Sequence, residues 1–136
     1  MSCLTISTKP TVMIICDDSV LGHRFKVALV ENGLDVTILS KPSVGLNELK
    51  LSSQKYSLVL IDFTSQVKNS TRNFPKQVKD INDKIKIILI SGFHFNESYI
   101  SRQGYDQYLK LPVTMSKLVN LIKVALARQS LDPIFR

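Results

Sequence analysis

The chain has 136 residues, of which 44% are hydrophobic and 21% charged. That suits one domain with one core, and it excludes both a disordered chain and a bilayer-spanning one, since no apolar run approaches the roughly 20 residues a spanning helix needs. The formal net charge is +7, yet the lysines are scattered and no recognition-helix or zinc-finger pattern accompanies them, so a solvated basic surface is the simpler reading.

The N-terminus carries no basic segment followed by an apolar one, as a secretory signal would. Cys3 and Cys16 are the only cysteines, one in a polar tail and one in an apolar run. No structural disulfide is expected, and a reducing, cytoplasmic setting fits.

Residues 1–11 are polar, end in Lys9-Pro10-Thr11, and read as a flexible tail. A first buried strand is Val12–Cys16, short and rich in β-branched residues. It ends abruptly in Asp17-Asp18-Ser19. Ser19 can cap a helix over about Val20–Asn32, since Leu21, Phe25, Ala28 and Leu29 share one face. Gly33 suits the left-handed position after its end. Val36–Leu39 is a second strand, and Ser43 a candidate cap for a short helix reaching about Ser52.

Leu58–Ile61 is a continuous apolar run, as expected of a central strand covered on both faces, and it ends in Asp62. Residues 64–73 are polar and without period. Phe74, Val78 and Ile81 then recur at helical spacing, with Asn73 as a cap. Ile85–Ile90 is a further buried strand, followed by Ser91-Gly92, and a helix over about Asn96–Gln103 ends near Gly104. Gln107–Leu109 is a short last strand. Leu118, Leu121, Ile122, Ala125 and Leu126 form the clearest helical stripe, with Ser116 as its cap. The domain thus spans 12–129, and residues 130–136 are expected to fray.

Strands and helices alternate five times. Parallel neighbours need crossover connections, so the fold class is α/β, a flavodoxin-like (βα)5 doubly wound parallel sheet with strand order 2-1-3-4-5. Ligands of such sheets bind at the carboxyl ends of the strands. There the first strand ends in Asp17 and Asp18, the third in Asp62 and the fourth in Ser91. Three carboxylates gathered there would make an acidic spot on a basic protein. Hard oxygens of this kind suit Mg²⁺, and an Asp beside the cation can act as a nucleophile toward a phosphoryl group. The bland alternative is a solvated turn in which Asp17 or Asp18 caps the next helix.

Four segments together carry a resemblance: Ile15-Cys16-Asp17-Asp18, Leu58-Val59-Leu60-Ile61-Asp62, Ile88-Leu89-Ile90-Ser91-Gly92 and Tyr108-Leu109-Lys110-Leu111-Pro112. In this order and spacing, the chain over residues 12–128 resembles the receiver domain of two-component response regulators. The resemblance implies that Asp62 is the phosphoacceptor, and that Asp17 and Asp18 hold Mg²⁺ with Asp62 and the backbone carbonyl of Thr64. It implies that Ser91 senses the phosphoryl group and that Tyr108 changes rotamer with it. Pro112-Val113 to Leu118 looks most like receivers attached to hybrid histidine kinases.

The implied partners are a histidine kinase or phosphotransfer protein and a second copy met through the last strand and helix. Nucleic acid and a membrane segment are not expected, and the chain would lie in the cytoplasm, free or as the soluble part of a membrane-bound sensor. Val119 and Val124, off the main stripe, are the expected contact residues. The domain itself is not expected to be an enzyme beyond its own phosphorylation and dephosphorylation.

Two departures stand out. The family places a lysine immediately before the proline, and here that residue is Leu111, with Lys110 one position earlier. Successive strand side chains face opposite ways, so Lys110 substitutes for it only if the strand slips. Phe63–Gln66 also lacks the usual methionine-proline pattern. A receiver that keeps the fold but signals without phosphorylation is the alternative these departures raise. A nucleic-acid-binding α/β domain rests on the charge alone. His23 and His94 are isolated and read as surface residues.

Overall fold

A computed structural model describes residues 10–62 and 73–135, with side chains as far as Ala127. The strands are β1 (Thr11–Ile15), β2 (Asp35–Leu39), β3 (Tyr56–Asp62), β4 (Lys86–Ser91) and β5 (Gln107–Lys110). The helices are α1 (Ser19–Glu31), α2 (Pro42–Ser52), α3 (Phe74–Ile81), α4 (Glu97–Gln103) and α5 (Met115–Phe135). All strand pairs are parallel, in the order β2-β1-β3-β4-β5. This is the doubly wound sheet expected from the alternation of elements.

The pleat sorts the strand residues into two cores. Val12, Ile14, Leu58, Leu60, Ile88 and Ile90 meet Phe25 and Leu29 of α1 and Leu118 and Ile122 of α5. Their alternates Met13, Ile15, Val59, Ile61, Ile87 and Leu89 meet Leu49 of α2, Phe74 and Val78 of α3 and Ile100 of α4. The central strands β1, β3 and β4 are buried on both faces, which is why they read as unbroken apolar runs.

Three helix starts differ from expectation. Asp18, not Ser19, caps α1, because its Oδ1 accepts from the amides of Val20 (3.0 Å) and Leu21 (3.1 Å). Thr114, not Ser116, caps α5, its Oγ1 accepting from Lys117 N at 3.0 Å. α2 begins at Pro42 with no side-chain cap, so Ser43 already lies inside the helix. In each case a polar residue one or two places earlier, or a proline suited to the first turn, starts the helix sooner. The termini differ too. Thr11 is already paired in β1, and the backbone of α5 stays helical to Phe135.

α1 ends as its glycine requires. Gly33 has φ +87°, its amide donates to Val30 O, and Leu34 N reaches back to Leu29 O. This is a Schellman motif, with Leu34 and Leu29 both in the core beneath it. At the other end of the sheet, Asp106 Oδ2 accepts from Ile87 N (2.8 Å) and Lys79 Nζ (3.0 Å), tying the start of β5 to β4 and α3.

Gly22 is a different case, a glycine inside a helix with room for a side chain. A Cβ there would sit 3.6 Å from Cys16 Cβ and 3.8 Å from Ile38 Cγ2, ordinary packing distances. Gly22→Ala is therefore expected to stabilise the domain by about 0.5–1 kcal/mol through helix propensity. Urea denaturation reads this directly. A lower midpoint than wild type would mean that α1 lies closer to β1 than described.

Candidate functional site

The sheet register builds the site. Ile15 of β1 pairs with Ile61 of β3, so the residues that follow, Cys16 and Asp62, arrive side by side at the carboxyl ends of two central strands. Both continue the rows that face α1 and α5: Val12 and Ile14 lead to Cys16, Leu58 and Leu60 to Asp62. Asp62 is only 8% exposed. The Cys16 thiol donates to Asp62 Oδ2 at 3.1 Å and lies 3.3 Å from the carbonyl of Asp18. Burial first, and then the bond to Asp62, push the thiol up to about 12. It therefore stays protonated, and a donor, at neutral pH.

The three expected carboxylates are in three different situations. Asp62 is the buried one. Asp17 follows Cys16 at the same strand end and is exposed. Asp18 is exposed too, with one carboxylate oxygen engaged by the first turn of α1. Asp18 thus acts as the cap of α1 that the bland reading of this turn described. Among the described residues, no three His, Cys, Asp or Glu side chains group as a metal site. Two carboxylates are nonetheless as many as Mg²⁺ commonly takes from a protein, with water filling the rest of its shell. Asp17 and Asp62 are the residues that could hold it. Thr64, expected to lend its carbonyl, lies outside the described residues, as does the loop with Phe63–Gln66.

Ser91 closes β4 fully buried, in the row of Ile87 and Leu89, and its Oγ accepts from Phe93 N at 3.0 Å. Tyr108 lies on that same side, half-buried against the core under α3 and α4. Its hydroxyl donates to the carbonyl of Phe93. Phe95 stands edge-on to the Tyr108 ring at 5.8 Å and stacks on Tyr99 at 5.3 Å. The aromatic position is thus held at both its face and its hydroxyl.

The last strand separates Leu111 from Lys110. Lys110 pairs with Ser91 and is exposed, in the row of Tyr108. Leu111 continues the row of Leu109 and packs against the core shared with α1 and α5, the side of the sheet to which Asp62 belongs. Its amide donates to Ser91 O at 2.8 Å, which extends the β4–β5 pairing through this residue.

Solved structures share this fold. A CheY-like response regulator receiver domain protein from Methanospirillum hungatei JF-1 is 21% identical, over 92% of this chain and 99% of its own, with a TM-score of 0.81. The fold is that of a response regulator receiver domain. A receiver domain protein from Clostridium thermocellum agrees at 24% identity, 90% and 98% coverage and a TM-score of 0.79. A response regulator from Thermotoga maritima does so at 19% identity, 88% and 99% coverage and a TM-score of 0.76. No family model and no curated protein matches the sequence. Within the receiver fold, the strand-end position next to the central Asp holds a thiol, Cys16.

Sequence reading missed Cys16, Phe93 and Phe95 as parts of the site. For the aromatics a signal existed, Phe93-His94-Phe95 directly after Ser91-Gly92. For Cys16 there was none, because a cysteine ending an apolar strand is an ordinary small hydrophobe until the register sets it against Asp62. His23 and His94 are both exposed.

Proposed function

We propose that this receiver domain is a phosphoacceptor module of a two-component phosphorelay, with Asp62 as the acceptor. A carboxylate oxygen of Asp62 attacks phosphorus, and the bond from phosphorus to the donor's imidazole nitrogen breaks with its electron pair staying on nitrogen. An acyl phosphate forms as the ring, protonated on its other nitrogen, leaves as neutral histidine. The observation that supports this best is Asp62 itself, buried at the end of the central strand of a receiver-type sheet with Asp17 at the neighbouring strand end. A Mg²⁺ held by Asp17 and Asp62 would offset charge on the phosphoryl oxygens. The resemblance gives Ser91, at the end of β4, the role of hydrogen-bonding a phosphoryl oxygen, and Tyr108 that of reporting the change through the Phe93 carbonyl.

The proposed partners are a histidine kinase or phosphotransfer protein, in the arrangement of a hybrid kinase's receiver, in the cytoplasm. Among the described residues no helix is long and apolar enough to cross a membrane. The output surface is the β5–α5 side, where Gln107, Leu121, Val124 and Ala125 line a cleft open to a partner or a second copy.

A receiver that signals without phosphorylation is the second reading. Leu111 in the lysine position and the Cys16 thiol on Asp62 favour it. Intact-mass spectrometry after incubation with Mg²⁺ and a small phosphodonor separates the two. One added phosphoryl group in wild type and none in Asp62→Ala is the expected result. No addition in either protein would favour the phosphorylation-independent module.

A further inference from the structure

Mg²⁺ selects hard oxygens, and the soft sulfur of a cysteine suits it poorly. Here a thiol stands where the register brings β1 against the buried carboxylate, and it donates to one of that carboxylate's two oxygens, Oδ2, at 3.1 Å. Asp18, another carboxylate nearby, has its Oδ1 engaged by the first turn of α1. A cation reaching Asp62 must therefore displace the Cys16 hydrogen bond or use what remains of the carboxylate.

We infer that Cys16 sets the cation affinity of this pocket: by holding Asp62 Oδ2 it keeps the buried carboxylate satisfied without a metal and makes divalent binding weak. This rests on the reading of Asp62 as the functional carboxylate, but not on its being phosphorylated. The alternative at position 16 is informative. A carboxylate there would face Asp62 as a like charge at close range, an arrangement that is unfavourable until a cation joins the two. Cys16→Asp should then be less stable than wild type without metal and regain stability as Mg²⁺ is added. Cys16→Ala removes the donor and adds no ligand, so it should fall between.

The test needs Mg²⁺ alone and no phosphodonor. Thermal melting and amide shifts of the full chain are followed through a Mg²⁺ titration for wild type, Cys16→Asp, Cys16→Ala and the double variant Cys16→Asp with Asp62→Asn. The expected order of affinity is Cys16→Asp, then Cys16→Ala, then wild type, with Cys16→Asp at least about tenfold tighter than wild type, the scale of one added charge-assisted contact. The double variant should lose most of that gain. Wild type binding as tightly as Cys16→Asp would overturn the inference. Should Cys16→Asp fail to fold even with Mg²⁺, Cys16→Ala decides, and an affinity unchanged from wild type overturns it. Phosphorylation of Asp62 with no change of affinity on replacing Cys16 would leave the acceptor reading standing and this inference refuted. The expected order in a chain that takes no phosphoryl group would do the reverse.

Discussion

Glutamate in place of Val119 is expected to unfold the domain or nearly so, whereas glutamate in place of Val124 leaves it folded. The two valines lie five residues apart on α5, both off the stripe that the sequence makes obvious. Val119 is 4% exposed and packs in the core shared with Leu118 and Ile122, while Val124 is 48% exposed. A carboxylate at 119 would be buried with no partner at hand, a loss of about 4 kcal/mol or more. That is a large share of the stability of a domain whose total is roughly 5–15 kcal/mol. At 124 the change should stay within about 0.5 kcal/mol, as for other surface positions. Urea midpoints decide between these outcomes, and a Val119→Glu as stable as wild type would show that α5 packs on a different face. Of the two residues expected to form the partner surface, only Val124 is therefore available. Association lost in Val124→Glu, with the fold intact, would mark that side as the output surface.

Leu111→Lys is expected to raise the rate of Asp62 phosphorylation. The proposed acceptor site already has Asp62 and Asp17 at neighbouring strand ends, and a phosphoryl group would add further negative charge. A lysine at 111 would lie on the Asp62 side of the sheet, in the row of Leu109, and could donate to a phosphoryl oxygen. Leucine contributes neither charge nor donor. One charge-assisted contact is worth about 1.5–3 kcal/mol, on the order of ten- to a hundredfold in rate. Leu111 is half-buried, and the lysine stem can cover much of the same apolar surface, so the stability cost should be about 1 kcal/mol. Rates with a small phosphodonor and Mg²⁺ for wild type, Leu111→Lys and Lys110→Ala provide the comparison. A faster Leu111→Lys with Lys110→Ala unaffected is the expected result. An inactive Lys110→Ala would mean that the exposed Lys110 swings over to the pocket after all.

The parts of this domain legible in its sequence are those fixed by burial. Leu58–Ile61 and Ile87–Ile90 are apolar throughout because both faces of β3 and β4 are covered, and that continuity announces a parallel sheet. Gly33 was legible because few residues other than glycine adopt its backbone angle readily. Less legible were choices between near-equivalent neighbours. Asp18 and Ser19 can both cap a helix, as can Thr114 and Ser116, and the difference is one turn's geometry. Val119 was misread because α5 buries a wider face than its leucine stripe suggests. The Cys16–Asp62 contact joins positions 46 apart, and only the register of β1 on β3 creates it. Thus the place of Asp62 at a strand end could be read from sequence, and its thiol neighbour could not.

The central claim is that Asp62 carries the phosphoryl group, and the acyl phosphate it would form can be trapped where it stands. After incubation with Mg²⁺ and a small phosphodonor, borohydride reduction converts a phosphorylated aspartate to homoserine, which peptide mass spectrometry locates. Homoserine at position 62 in wild type, more of it in Leu111→Lys, and none elsewhere in the chain is the result this account predicts. Unmodified Asp62 in both proteins, or homoserine at Asp17 or Asp18 instead, would contradict it.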